Sequence, residues 1–303
     1  MWEALLNQAT TLKNLLDQWT TYLILYRLPL REWADFVVMY LRSNYRDFFR
    51  ACSGLIEGAV NNIEALLSFI PITVFILVLV ILAWRLSGRG MAVFTLVSLF
   101  LLVSMNIWDE TIRTLALVLT ATFMALLSGV PLGILASRSD LTENILRPIL
   151  DFMQTMPIFV YLLPAVMFFS IGVVPAVLAT VVFSMPPAIR LTNLGIRQVP
   201  AEMIEAAASF GSTPLQMLFK IQLPLALPSI MAGINQCIML SLSMVVIAAM
   251  IGAGGLGGIV YRAITRLQIG SGFEGGLGVV IIAIILDRIT QSVGKESPEK
   301  KAA

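Results

Sequence analysis

Residues 192–230 read TNLGIRQVPAEMIEAAASFGSTPLQMLFKIQLPLALPSI and form the longest polar interruption in the second half of the chain. Pro200 suits the first position of a helix, and Gly211 can adopt the left-handed conformation that ends one. Residues 213–216 (TPLQ) then form a capping box with proline at the first helical position. The stretch therefore predicts two short helices joined by a tight turn.

Long uncharged segments lie on both sides of this stretch. Of the 303 residues, 58% are hydrophobic and 13% are charged, whereas about 25% are charged in an ordinary soluble domain. Residues 152–189 and 221–261 contain no Asp, Glu, Lys or Arg, and each run exceeds the roughly 20 residues that cross a bilayer. The sequence therefore predicts an integral membrane protein.

The apolar segments predict an all-α, polytopic membrane helical bundle of about seven transmembrane helices. The predicted spans are 67–86, 91–108, 112–136, 152–171, 173–190, 226–251 and 275–292. At a rise of about 1.5 Å per residue, each is long enough to cross the hydrocarbon layer.

Charge in the loops predicts the orientation. If the first span runs inward, one side of the membrane collects Arg85, Arg89, Arg138, Arg147, Arg190, Arg197, Lys220, Arg288, Lys295, Lys300 and Lys301. The opposite loops carry only Arg113, Arg262 and Arg266. Because Lys and Arg in short loops favour the cytoplasm, we expect an external N-terminus and a cytoplasmic C-terminus.

The first 66 residues contain an amphipathic helix of a different kind. Apolar residues recur at helical spacing, namely Trp33, Phe36, Val37, Tyr40, Leu41, Phe48 and Cys52, while charged residues occupy another face. Such a helix either lies in the membrane interface or packs on the outside of the bundle.

Composition argues against several functions. The net charge of +2 and the scattered basic residues do not suggest nucleic-acid binding. The chain has no histidine, so it lacks a His-based triad and an imidazole metal ligand. Cys52 and Cys237 are far apart and are predicted to be buried or interfacial thiols. No P-loop pattern is present, so ATP would be bound elsewhere.

Residues 252–257 (GAGGLG) fit a dinucleotide-binding pattern, and Glu274 follows about twenty positions later. The pattern follows an apolar span instead of a strand in a βαβ unit. We interpret this segment as a flexible or closely packed turn near an outer gate, and not as a cofactor site.

The stretch quoted first carries a family pattern. Its residues match EAA-x3-G-x9-I-x-LP through Glu205, Ala206, Ala207, Gly211, Ile221, Leu223 and Pro224. This pattern resembles the EAA signature of ABC importer membrane subunits. Segments such as DFMQTMPIFVYLLPAV and LSMVVIAAMIGAGGLGG further resemble the ProW-type permeases of ProU-like glycine betaine/proline importers, with a likeness that covers about residues 69–295.

The resemblance implies a bundle of the type I ABC importer (MetI-like) kind that catalyses no covalent chemistry. Two copies would form the pathway with two cytoplasmic ATPase subunits, which bind ATP and Mg, and an external solute-binding protein. The domains implied are a membrane-surface region (1–66), the transmembrane domain (67–292) with a coupling loop (191–225), and a cytoplasmic tail (293–303). The chain itself would bind no cofactor and no metal.

The resemblance assigns the seven signature residues to coupling with the ATPase, with Glu205 meeting polar or basic groups there. A zwitterionic solute would favour aromatic and weakly polar contacts in the pathway. Candidate lining residues are Phe152, Tyr161, Asn235, Ser241, Ser243 and Met244. The alternative for each is helix-against-helix packing.

The favoured function is import of glycine betaine or proline as compatible solutes for osmoprotection, at the bacterial inner membrane. Choline or carnitine import by the same kind of permease is an alternative. An ATP-independent secondary transporter is less favoured because the spans show neither internal repeats nor ionisable residues at mid-membrane. A membrane enzyme is less favoured because paired carboxylates and histidine are absent from the spans.

Overall fold

The computed structural model describes residues 2–25 and 29–294. Most of the predicted tail, residues 295–303, lies outside the described residues. The helices in the described part are α1 Trp2–Leu25, α2 Leu30–Asn44, α3 Arg46–Phe69, α4 Ile72–Ser87, α5 Arg89–Ser104, α6 Trp108–Arg138, α7 Asp140–Thr155, α8 Ile158–Phe169, α9 Val173–Arg197, α10 Ala201–Ser209, α11 Pro214–Met217, α12 Leu223–Ser243, α13 Val245–Met250, α14 Gly255–Thr265 and α15 Ile269–Gly294. This confirms the all-α prediction.

The described residues up to Arg46 form one compact unit, and those from Asp47 onward form a second. The residues predicted to share one amphipathic helix are helical but are divided between α2 and α3, because the chain leaves the helix at Tyr45, with φ −116° and ψ 28°. Within the second unit, α3 packs on the bundle. Ile56 and Val60 join a buried cluster with residues of α6 and α9, and the ring centroid of Phe49 lies 4.6 Å from that of Phe168.

Within the described residues, four continuous segments are long and apolar enough to cross a membrane. They are Trp108–Arg138, Val173–Arg197, Pro214–Met250 and Ile269–Ser292. They cover the predicted spans 112–136, 173–190, 226–251 and 275–292. The predicted span 91–108 corresponds to the shorter apolar helix α5.

The other two predicted spans, 67–86 and 152–171, are wrong as continuous helices. The α3–α4 pair bends by 96° and the α7–α8 pair by 94°, so each pair is a broken span or a re-entrant segment. Proline explains both positions. It lacks an N–H donor and pushes the preceding residue out of the helical conformation. Met156, before Pro157, has ψ 132°, and α4 starts directly after Pro71.

The prolines inside other helices do not break them. Pro164 lies within α8, and Pro186 and Pro187 lie within α9. Pro186 and Pro187 are both buried, so tight packing against neighbouring helices holds the backbone in helical geometry there. Among the prolines of residues 152–189, Pro157 is therefore the one that separates two helices.

Close backbone contacts join α6, α9 and α12. Gly133 of α6 faces α9, where an added Cβ would lie 2.6 Å from the Thr192 Cβ and 2.7 Å from the Ile189 carbonyl oxygen. At Gly195 of α9, an added Cβ would lie 2.7 Å from the Ser229 Cβ of α12. Small residues let membrane helices approach closely enough for extensive van der Waals contact. These three helices therefore form a tightly packed unit of the bundle.

A second apolar core lies where α15 meets α4, α5 and α6. Leu99, Leu102, Ile282 and Ile285 are almost fully buried in it. Cys237 is buried and Cys52 is half-buried, and both are free thiols, as the sequence predicted.

Candidate functional site

Helix α10 carries the first part of the predicted coupling loop. Pro200 precedes this helix as its N-cap, one position before the predicted one. Ala207 is 7% exposed and faces the protein, while Glu205 and Ala206 are exposed. The helix therefore rests on the protein along one side and presents the other to its surroundings.

A tight turn at Gly211 ends α10. Its φ is +76°, a conformation that a residue with a Cβ adopts at a cost. The Gly211 N–H donates to the Ala208 carbonyl at 2.9 Å, and the Ser212 N–H donates to the Ala207 carbonyl at 3.1 Å. An added Cβ would meet nothing within 4 Å, so glycine is required here for its backbone conformation and not for space.

The start of α11 confirms the predicted capping box. The Gln216 N–H donates to the Thr213 hydroxyl at 3.3 Å, and the Thr213 N–H donates to the Gln216 side-chain oxygen at 2.9 Å. Arg138, the last residue of α6, donates from its guanidinium to the Pro214 carbonyl at 2.8 Å. The loop is thus tied both to itself and to α6.

The second helix of the loop is continuous with the following span. A π-helical turn, Leu218–Gln222, joins α11 to α12. Leu218 is buried with Ile196 and Ala226, and Leu223 packs against this cluster. Ile221 is half-buried and Pro224 is exposed. The I-x-LP part of the signature therefore anchors the loop to the bundle, while α10 carries its exposed part.

Arg197 at the end of α9 connects three elements beside this loop. Its guanidinium contacts Asp140 at 2.7 Å and Glu143 at 3.0 Å on α7, and it donates to the Ala136 carbonyl of α6 at 3.0 Å. Two turns earlier in α9, Arg190 pairs with Asp151 of α7 at 2.6 Å. The sequence analysis counted these arginines only as indicators of orientation, because ion pairs between distant segments leave no local pattern.

Several of these residues, but not Asp140, border a cavity of about 390 Å³ between α7 and α9. Three arginines and two carboxylates line it together with apolar side chains, namely Arg147, Arg190, Arg197, Glu143 and Asp151. The carboxylates pair with two of the arginines, so the cavity wall largely neutralises its own charge.

The six candidate pathway residues occupy different surroundings. Tyr161 and Met244 share an apolar cluster with Leu162 and Ala179. The Ser241 hydroxyl accepts a hydrogen bond from Thr122 of α6 at 3.2 Å. These contacts bring two of the six together in a cluster between α8, α9 and the junction of α12 with α13.

The remaining three candidates lie elsewhere. Phe152 is 62% exposed on α7, before the break at Pro157. The Ser243 hydroxyl donates to the Met239 carbonyl within α12 at 2.9 Å. Asn235 donates to Asp287 of α15 at 2.8 Å, which is the helix-against-helix contact given as the alternative. The sequence analysis missed Asp287 as a partner, because a contact between residues 52 positions apart leaves no local pattern.

The glycine-rich turn between α13 and α14 is closely packed. Gly252, Gly254 and Gly255 have φ of +91°, +81° and +68°. Arg113 of α6 donates to the Ala253 carbonyl at 2.9 Å, and the Leu256 N–H donates to the Thr114 hydroxyl at 2.8 Å. Of the two predicted alternatives, flexible or closely packed, the structure supports the second.

Comparisons with known proteins agree with the observed helical fold and with the transporter family that the loop pattern predicted. Residues 129–295 match the family described as binding-protein-dependent transport system inner membrane component. The solved structure of the MetNI methionine ABC transporter in inward-facing conformations contains a chain with a TM-score of 0.52, which covers 60% of this chain and 89% of that one. At 24% identity, this likeness concerns the fold alone, and it confirms the MetI-like prediction.

Three curated relatives are similar over most of both chains. The glycine betaine transport system permease protein OpuAB of Bacillus subtilis is 52% identical over 88% of this chain and 95% of its own. The glycine betaine/proline betaine permease protein ProW of Escherichia coli is 50% identical over 94% and 79%. The glycine betaine/carnitine permease protein GbuB of Listeria monocytogenes is 50% identical over 89% and 97%.

These findings support transport and not catalysis, in a multi-pass protein of the inner membrane. Permeases of this family imply an ATPase subunit that uses ATP, a solute-binding protein and a second permease copy as partners. The chain belongs to the binding-protein-dependent transport system inner membrane components and is a permease of the ProW type.

Proposed function

We propose that this chain is the permease of an ATP-driven importer of glycine betaine and related compatible solutes. The observation that supports this proposal most strongly is sequence identity. Over most of its length, the chain is at least 50% identical to three permeases whose names all include glycine betaine. Their names give proline betaine or carnitine as further solutes, where the sequence analysis named proline. Carnitine is the second candidate because GbuB, at 50% identity, carries it in its name.

In the proposed arrangement the N-terminus is external and the C-terminus is cytoplasmic. Residues 1–66 form a membrane-surface region whose last part, α3, packs on the bundle. Residues 67–292 form the transmembrane domain, and 293–303 form the tail. Loop 191–225 then faces two ATPase subunits, each of which binds ATP and Mg, and an external binding protein delivers the solute to a pathway formed by two permease copies.

The proposed coupling step uses the exposed side of α10. Glu205 and Ala206 would contact the ATPase, since both are exposed. Ala207 would keep α10 close to the bundle, because it is buried on the opposite side. Gly211 would fix the turn. Leu218 and Leu223 would then carry movement of the loop into α12, because both pack in the cluster at its start.

The proposed pathway lies near the cluster that contains Tyr161 and Met244. An aromatic ring and a thioether suit a quaternary ammonium group, which offers no N–H donor. Ser241, beside this region on α12, would add a weakly polar contact. Phe152, Asn235 and Ser243 remain candidates for other parts of the route.

Reconstitution in liposomes with the partner ATPase and binding protein tests the function. We expect uptake of labelled glycine betaine that requires ATP and the ATPase, with competition by carnitine. Uptake at the same rate without the ATPase subunit would instead indicate a secondary transporter.

Two substitutions test the coupling role within the same system. Glu205→Lys reverses an exposed charge on α10, and Gly211→Val forces a β-branched residue into a left-handed conformation. We expect both variants to insert normally and to lose most of the solute-stimulated ATP hydrolysis. Matched controls are Glu57→Lys, an exposed charge reversal on α3, and Gly211→Asn, because asparagine tolerates this conformation better. Normal coupled turnover in both test variants would contradict the role.

A further inference from the structure

Helix α10 presents an apolar stripe next to its buried side. Met203, Ala206 and Phe210 are spaced three and four residues apart, so their side chains lie within one face of the helix. All three are exposed, and Phe210 is 92% exposed. This face is distinct from the side on which Ala207 is buried.

Phe210 is held in place by the backbone around it. Its N–H donates to the Ala206 carbonyl at 3.1 Å, and the Gly211 turn follows at once. The capping box at Thr213 and the bond from Arg138 to Pro214 fix the other side of the turn. The aromatic side chain of Phe210 is therefore attached to a turn that hydrogen bonds hold in place. A partner that binds it loses little free energy to ordering the loop.

An acidic edge borders the stripe. Glu202 and Glu205 are both exposed and, at 100° per residue, lie on the side of the stripe away from Ala207. A complementary partner therefore needs an apolar pocket for an aromatic ring, with basic groups along one rim.

We propose that Phe210 is the anchor of the interface with the ATPase subunit, where it fills an apolar pocket whose rim carries Lys or Arg facing Glu202 and Glu205. The inference rests on the proposed function, which makes the ATPase the partner of this loop. It adds a residue that the EAA pattern leaves unspecified, since Phe210 occupies one of its three variable positions.

The charge pattern favours this occupant over the membrane surface. The cytoplasmic leaflet is negatively charged and attracts basic segments, whereas the edge beside Phe210 is acidic. The pattern also disfavours a second copy of α10, because two such edges would repel. Buried aromatic residues at the centre of an interface commonly contribute most of its binding energy.

Binding of the purified ATPase subunit to the full-length permease in nanodiscs tests the proposal. We expect Phe210→Ala to weaken binding about 30-fold or more, which corresponds to about 2 kcal/mol, and Phe210→Leu to restore part of it. The matched control is Phe219→Ala on the π-helical turn, where the side chain is 63% exposed but off the stripe. We expect the control to change binding less than threefold.

The possible outcomes distinguish a failure of the Phe210 anchor from a failure of the proposed function. If the wild-type permease binds no ATPase, the proposed function itself fails. If the wild type binds and Phe210→Ala binds equally well, or if Phe219→Ala weakens binding as much, the anchor is refuted while the function stands. A Phe210→Ala effect on permease self-association or on binding to anionic vesicles, without an effect on ATPase affinity, would also refute it.

Discussion

The contact between α6 and α9 at Gly133 leads to a quantitative prediction. A Cβ added there would lie 2.6 Å from the Thr192 Cβ and 2.7 Å from the Ile189 carbonyl oxygen, whereas ordinary contact starts at 3.4 Å. Both opposing atoms belong to the backbone or are fixed to it. A rotamer change therefore cannot relieve the contact in Gly133→Ala, and the two helices must separate by several tenths of an ångström.

The expected cost follows from two opposing contributions. Overpacking a tight core costs about 1–3 kcal/mol, and the upper end applies because backbone atoms collide. Replacing glycine by alanine inside a helix returns at most about 1 kcal/mol. The net loss of unfolding free energy is therefore expected to be about 2 kcal/mol.

Gly276→Ala is the matched control, because Gly276 lies inside α15 and an added Cβ there meets nothing within 4 Å. This variant keeps the helix-propensity gain and lacks the collision, so it is expected to be as stable as the wild type or about 1 kcal/mol more stable. SDS-induced unfolding in mixed micelles measures both variants. Equal unfolding free energies for Gly133→Ala and Gly276→Ala would refute the tight-packing argument.

Two interhelical contacts give further predictions. Arg197→Gln removes the ion pairs to α7 and is expected to lower the unfolding free energy by about 1–2 kcal/mol. This loss should be smaller in high salt. If thermal unfolding shows the same loss at every salt concentration, the loss does not come from the ion pairs. Asn235→Leu leaves Asp287 with one amide donor fewer and is expected to lower the unfolding free energy by about 1–3 kcal/mol. The double variant Asn235→Leu/Asp287→Leu should recover most of this stability. A double variant no more stable than the single one would exclude this explanation.

The coupling loop was largely predictable because its rules are local. The capping box at Thr213 and the turn at Gly211 depend on residues within four positions of each other, and the structure contains both. Phe210 was missed because the same signature leaves its position open. Its exposure depends on how α10 sits on the bundle, which no local pattern records.

The breaks in two of the predicted spans could not be predicted from the sequence alone. Pro157 and Pro186 look alike in the sequence, since each lies in a long uncharged run. The first separates α7 from α8, whereas the second is buried inside a continuous α9. Whether a lost helical hydrogen bond breaks a helix depends on the packing around it, and that packing comes from distant segments.

The two kinds of helix contact in this bundle differ in how much relative movement of the helices they allow. At Gly133 and Gly195 the glycine backbone lies against Cβ atoms and carbonyl oxygens, which no rotamer change can move. Helices α6, α9 and α12 therefore cannot slide past one another without collision. Contacts of α8 with α9 and with the junction of α12 and α13 are made through flexible side chains such as Leu162 and Met244. The chain also bends by 94° between α7 and α8, at Pro157. A displacement that enters at α10 is therefore expected to move α6, α9 and α12 as one unit and to change the packing of α8, which is where opening and closing of the pathway should be sought.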